Sequence, residues 1–327
     1  MLTRNDIKGV MLIMHTPCKD GQEGWRYGNS VDLDKAVKAA EKFVEAGIKG
    51  IALCGTSGEC AALLWEEKKA FVDAVVKTVR HRVPVFAGAT ALGTKEVIRQ
   101  SRALKDVGAD GSFVGLPLWQ TPTLENSVQF FADQAEASPN FPIMIYGNIA
   151  VFKSTFPTEF WGGVAKKAPT VITTKYSGGQ NLPEDLKVAG HRINFLPGEA
   201  GGMYRAYKAV GAAAAGYWST MAACGPEPFV ALADAVSKGD ADRIELIWGD
   251  IKAIPGSYPP DAGARSASYY VQASKLRTNT AGFVSVGPSR APYTDLPEEW
   301  AKYAVAAGKA AGELSRKYAK KRSKLIL

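Results

Sequence analysis

Eight short apolar runs recur along the chain, and a longer amphipathic stretch separates most of them from the next. They cover residues 10–14, 50–53, 84–88, 111–114, 143–146, 171–175, 194–196 and 214–218. In DLDKAVKAAEKFVEAG, residues Leu33, Ala36, Val37, Ala40, Phe43 and Val44 keep the i, i+3, i+4, i+7 spacing of a helix, and Gly47 closes it. Phe71, Val72, Val75, Val76 and Val79 make a second such stripe. Strands that alternate with helices pair in parallel through right-handed crossovers. Eight repeats predict a closed (β/α)8 TIM barrel over residues 1–225. An open doubly wound sheet is the alternative, but no GxGxxG follows the first run. From residue 226 to 327 the apolar runs cease and helical patterns continue, which predicts a C-terminal helical extension packed on the barrel.

The formal charge of +8 invites a nucleic-acid reading, yet six of the basic residues sit in RKYAKKRSK, 316–324. Without them the chain carries only +2, so the segment reads as the solvated end of a terminal helix rather than a phosphate-binding surface. No apolar run approaches the roughly 20 residues that cross a bilayer. The apolar part of MLTRNDIKGVMLIMHTP is too short for a secretory leader. A cytoplasmic protein without membrane or nucleic-acid partners is the expectation. Cys18, Cys54, Cys60 and Cys224 lack CxxC spacing and read as reduced thiols. Three histidines, none at i, i+4, argue against a histidine-built metal site.

The run VITTKYSGG ends an interior strand on Lys175. At that end of a barrel strand the βα loops gather, and apolar walls there disfavour an ammonium, leaving an amine able to attack a carbonyl. Alone, the stretch fits equally a rim lysine reaching solvent. Tyr146 ends the preceding strand, within reach as a proton relay, or as a core aromatic with a satisfied hydroxyl. GTSGE, 55–59, forms a turn whose hydroxyls on Thr56 and Ser57 and free N–H groups suit a small carboxylate. Together the three describe a Schiff-base enzyme for a 2-keto acid.

GTSGE after the second strand, Tyr146 ending the fifth and Lys175 ending the sixth resemble the dihydrodipicolinate synthase / N-acetylneuraminate lyase superfamily of pyruvate-dependent class I aldolases. The resemblance implies a TIM barrel with a helical tail, usually a homotetramer. It implies Lys175 as imine-forming lysine, Tyr146 as relay, and Thr56 with Ser57 as the pyruvate-carboxylate site. No metal or organic cofactor is implied, since the lysine imine serves as electron sink. The biosynthetic members place Asn-x-Pro and an arginine near YGNIAVFKSTF, and neither is present here. Leu118 and Trp119 replace a tyrosine pair after the fourth strand, and Trp218 ends the eighth. These indoles suit an aromatic substrate, although rim packing also accounts for each. FAGATALGTKEVIRQ, VFKSTFPTEFW, the WS-plus-MxxCGP pattern and GPSRAPYTDLPEEW resemble the hydratase-aldolases of polycyclic aromatic degradation. That branch implies an aryl 2-keto acid substrate, either trans-o-hydroxybenzylidenepyruvate or trans-2'-carboxybenzalpyruvate. Ser57 leaves room beside a ring and Tyr270 can donate to a carboxylate, so the expectation leans to the ortho-carboxyl compound.

Overall fold

Every apolar run becomes a strand because each is buried on both faces. The computed structural model describes residues 1–177 and 181–325, those after 320 by their backbone alone. The strands are β1 (Gly9–Ile13), β2 (Gly50–Leu53), β3 (Val85–Gly88), β4 (Gly111–Val114), β5 (Ile143–Tyr146), β6 (Val171–Lys175), β7 (Asn194–Leu196) and β8 (Gly216–Ser219). The helices are α1 (Leu33–Glu45), α2 (Trp65–Val79), α3 (Thr94–Asp106), α4 (Leu124–Ala137), α5 (Ile149–Phe152), α6 (Thr158–Lys167), α7 (Leu182–Val188), α8 (Glu199–Val210), α9 (Glu227–Lys238), α10 (Ala241–Lys252), α11 (Tyr270–Ala281) and α12 (Glu298–Leu325). All ladders are parallel, in the order β7-β6-β5-β4-β3-β2-β1-β8, and form a nearly closed (β/α)8 barrel as the sequence predicts.

Alternate strand residues divide into two apolar clusters. Val10, Leu12, Ile51, Leu53, Val85, Ile143 and Ile145 face outward to the helices. Met11, Ile13, Ala52, Phe86, Phe113, Met144 and Leu196 fill the inside. Two-sided burial explains why the strands read as continuous apolar runs. The helices enter through local caps: Asp32 accepts the Lys35 N–H at 2.9 Å and Thr123 that of Asn126 at 3.2 Å. At the far end α9 lies on β1 and beside α8, while α11 and α12 pair closely. The start of α11 thereby comes over the mouth of the barrel.

Two features hold the mouth in place. The first is a polar knot. Glu59, the last residue of GTSGE, is fully buried between Lys275 of α11 at 2.5 Å and Arg290 at 2.6 Å. Arg290 also donates to the Thr16 and Pro17 carbonyls and to Ser30, so one guanidinium joins the end of β1, the β2 loop and the C-terminal segment. The second is the seam. Between β7 and β8 the described residues show no ladder, only the bridge Gly198–Trp218 and the Trp218 N–H donating to Pro197 at 3.1 Å. Within the basic segment 316–324, Lys317 pairs with Asp250 at 2.9 Å, and the side chains from 321 lie outside the described residues. Residues 178–180 of the expected glycine-rich turn also lie outside them.

Removing one partner from a buried ionic knot costs more than the knot itself contributes, because a charge stays buried and under-compensated. Arg290→Met is therefore expected to lower unfolding free energy by about 3 kcal/mol in urea titration. A loss under about 0.5 kcal/mol, the range of an ordinary surface change, would contradict this role.

Candidate active site

The two residues that end β5 and β6 stand directly opposite each other, Tyr146 against Lys175. Strand parity alone would not put them on the same face. Ile143 pairs with Val171, but Met144 pairs with Thr173, so β6 carries one extra residue at that point. This bulge restores Lys175 to the inner face, beside Tyr146. The lysine is 5% exposed. Its Nζ donates to the Gly147 carbonyl at 3.2 Å and to the Ser177 hydroxyl at 3.3 Å. It lies 3.5 Å from the centroid of the Trp218 indole and 5.0 Å from that of the Tyr146 ring.

Burial dominates the electrostatics of this amine. Loss of hydration penalises the ammonium and brings the Lys175 pKa down to about 7, against the opposing pull of the Glu199 carboxylate. Near neutrality a substantial share of the amine is thus unprotonated and nucleophilic.

The Tyr146 phenol oxygen accepts from the Thr56 N–H at 3.1 Å and from the Asn148 amide at 3.3 Å. Those two donors direct the phenolic proton to the Thr56 hydroxyl, 2.6 Å away. Burial pushes the Tyr146 pKa up to about 12, with the Thr56 hydrogen bond working in the other direction. The phenol therefore stays protonated and can lend and recover its proton. Tyr146 is fixed in orientation by Phe113, stacked on it at 4.3 Å, and by the edge of Phe152 at 5.1 Å. The GTSGE turn comes this close only because Gly88 at the end of β3 has no side chain; a Cβ there would meet the Cys54 carbonyl oxygen at 2.2 Å.

These groups open on a cavity of about 590 Å³. Of the residues expected at the site, Thr56, Tyr146, Lys175, Trp218 and Tyr270 line it. Ser57 does not: it is buried behind the wall, with its hydroxyl 3.1 Å from that of Tyr270. The expected run of free N–H groups is also reduced, since that of Thr56 is taken by Tyr146. Trp119, expected at the site, is 88% exposed and outside the lining, whereas its neighbour Leu118 turns into the cavity. In the irregular segment before α4, adjacent residues diverge, so an inward Leu118 sends Trp119 to solvent. Asn148, Lys153 and Glu199 were not anticipated. Asn148 was legible as the polar residue of YGN, two places beyond the tyrosine. Lys153 reaches the lining from a left-handed residue closing α5. Among the described residues, no three His, Cys, Asp or Glu side chains gather as a metal ligand set, and no helix is long and apolar enough to cross a membrane.

The dihydrodipicolinate synthetase family model matches residues 6–310. The chain is 41% identical over 324 residues to the trans-O-hydroxybenzylidenepyruvate hydratase-aldolase of Pseudomonas putida, covering 98% of this chain and 97% of that protein. It is 32% identical to the trans-2'-carboxybenzalpyruvate hydratase-aldolase of Nocardioides sp. (strain KP7), covering 97% and 96%. The solved structure "PhdJ bound to substrate intermediate" superposes with a TM-score of 0.92 at 34% identity, covering 97% of this chain and 99% of that one.

The depressed proton affinity of Lys175 has a direct readout. Reductive alkylation with a small aldehyde, mapped by mass spectrometry at several pH values, should show labelling at residue 175 rising around pH 7. Labelling of exposed lysines should rise only towards about pH 10. Residue 175 tracking the exposed lysines would remove the dry-amine account.

Proposed function

The chain belongs to the dihydrodipicolinate synthetase family, and we propose on that footing that it is a Schiff-base hydratase-aldolase of an ortho-substituted benzylidenepyruvate. One observation carries the reading: a buried lysine amine against an indole face, opposite a protonated tyrosine, at the mouth of a largely apolar cavity. The names of the full-length relatives support the same reaction class.

The chemistry follows from those groups. The neutral Lys175 amine attacks the 2-keto carbon, and loss of water gives an iminium conjugated with the alkene. Water adds to the benzylic carbon, and the alkene electron pair moves to form an enamine, which takes a proton at C3. The resulting alcohol loses its hydroxyl proton, the C3–C4 bond breaks, and its electron pair enters the iminium to give the pyruvate enamine and an aryl aldehyde. Protonation at C3 and hydrolysis release pyruvate and restore Lys175. Tyr146, backed by Thr56, moves protons in the imine and cleavage steps. The Thr56 hydroxyl, once it accepts from the phenol, has its own proton available for the keto acid carboxylate. The lysine itself acts as electron sink, so the reading invokes no metal or organic cofactor. Assembly as a homotetramer belongs to the reading on family grounds alone.

Two ortho groups fit. The ortho-carboxyl reading is favoured by Tyr270, a hydroxyl donor on the lining, and by Lys153, a cation on the same lining. The ortho-hydroxyl reading is favoured by the higher identity to the P. putida enzyme.

Borohydride reduction in the presence of pyruvate should fix a covalent adduct on Lys175, and Lys175→Ala should neither trap pyruvate nor release aldehyde. Tyr146→Phe should retain the fold and lose about 10²–10⁴-fold in kcat. Turnover by Lys175→Ala at the parental rate would end the proposal. The ratio of kcat/KM for the two arylidenepyruvates decides the ortho group. A preference above about tenfold, a difference of about 1.4 kcal/mol, assigns it.

A further inference from the structure

Glu199 is a carboxylate in an unusual setting. It begins α8 immediately after the Pro197–Gly198 corner that follows β7, and its φ is +55°, a left-handed conformation uncommon for a non-glycine residue. Its two oxygens accept from the Ser219 hydroxyl at 2.5 Å, the Thr220 N–H at 2.8 Å and the Thr220 hydroxyl at 2.6 Å, with the Met221 N–H at 3.4 Å. All of these donors lie at or just beyond the end of β8. The carboxylate thus spans the β7–β8 seam, where the described residues show no strand ladder.

Trp218 lies at that same seam. Its N–H donates to Pro197 at 3.1 Å and its indole Nε1 to the Tyr176 carbonyl at 3.1 Å. A Cβ on Gly198 would meet the indole at 2.6 Å, so the corner beneath it has no slack. The face of this indole is what Lys175 Nζ touches.

We propose that Glu199 is a positioning residue: its carboxylate clips the segment after β7 to the end of β8 and so holds Trp218 against Lys175. The inference rests on Lys175 being the reactive amine and adds what governs its titration. Lys175 meets Tyr146 from β5, Trp218 from β8 and the Glu199 charge from the head of α8. The Glu199 charge also acts on Tyr217, Tyr258, Cys224 and Arg277. Burial raises both phenols and the thiol, which therefore stay neutral through the neutral range, and Arg277 stays charged. Glu199 is consequently the anion that opposes desolvation at Lys175.

The sign is fixed. Replacing the carboxylate by an uncharged amide removes an influence that raises the lysine pKa, so the midpoint must drop. The Lys175 midpoint, read by NMR of isotopically labelled lysine, should fall by at least about half a pH unit in Glu199→Gln. The acid limb of pyruvate–borohydride trapping should shift by the same amount. Glu199→Ala should in addition lower the trapping plateau and change Trp218 fluorescence. An unshifted or raised midpoint in Glu199→Gln overturns the inference, whether or not pyruvate is trapped. Absence of trapping in the parent, with the midpoint still lowered by Glu199→Gln, would instead strike at Lys175 as imine former and leave Glu199 as proposed. Should the amide variant fail to fold, the double variant Ser219→Ala, Thr220→Val keeps the charge and removes the two hydroxyl donors of the clip. A changed Trp218 emission and lower plateau then support the inference, and parental values overturn it.

Discussion

Desolvation of the Lys175 ammonium is the constraint to which the other features of the site answer. Burying a charged group without a close counter-ion costs several kcal/mol, and here the cost is met by shedding the proton. That requires a dry floor. Phe86, Phe113, Met144 and Leu196 provide it from inside the barrel, with Trp218 laid over the amine. A closed ring of parallel strands buried on both faces supplies this floor without any special device.

Polar groups are then confined to the edges. Two carboxylates at the edge of the site, Glu59 and Glu199, follow β2 and β7 respectively, and both are held at left-handed φ, +53° and +55°. Each is satisfied by donors from a neighbouring part of the mouth, Glu59 by Lys275 and Arg290 and Glu199 by the end of β8. Strain at two backbone positions is thereby offset by charge-assisted hydrogen bonds. The result is a rim that is rigid and charged around a centre that is apolar.

The strands were legible because two-sided burial produces continuous β-branched and aromatic runs, which turns and amphipathic stretches set off clearly. Only the ends moved: β1 begins at Gly9, β3 at Val85 and β8 at Gly216. Lys175 was legible because an ammonium at the far end of such a run is out of character, and Tyr146 because it ends the preceding run. The outward turn of Trp119 was not legible, because the course of an irregular loop cannot be read from residue type. Glu199 was hidden for a related reason. An acidic residue at the start of a helix is ordinary in sequence, and its role depends on donors twenty residues away.

The bulge in β6 has a further consequence for how this chain tolerates change. Lys175 points inward only because one more residue is spent between Val171 and Thr173 than β5 spends opposite them. The buried Thr173 and Thr174 hydroxyls donate to the Asn194 and Ile145 carbonyls. The number of residues in this interval cannot change. An insertion or deletion in that short interval would rotate the amine out to the helical shell while leaving the hydropathy profile intact, so grafting this strand between relatives demands matching its length before its letters.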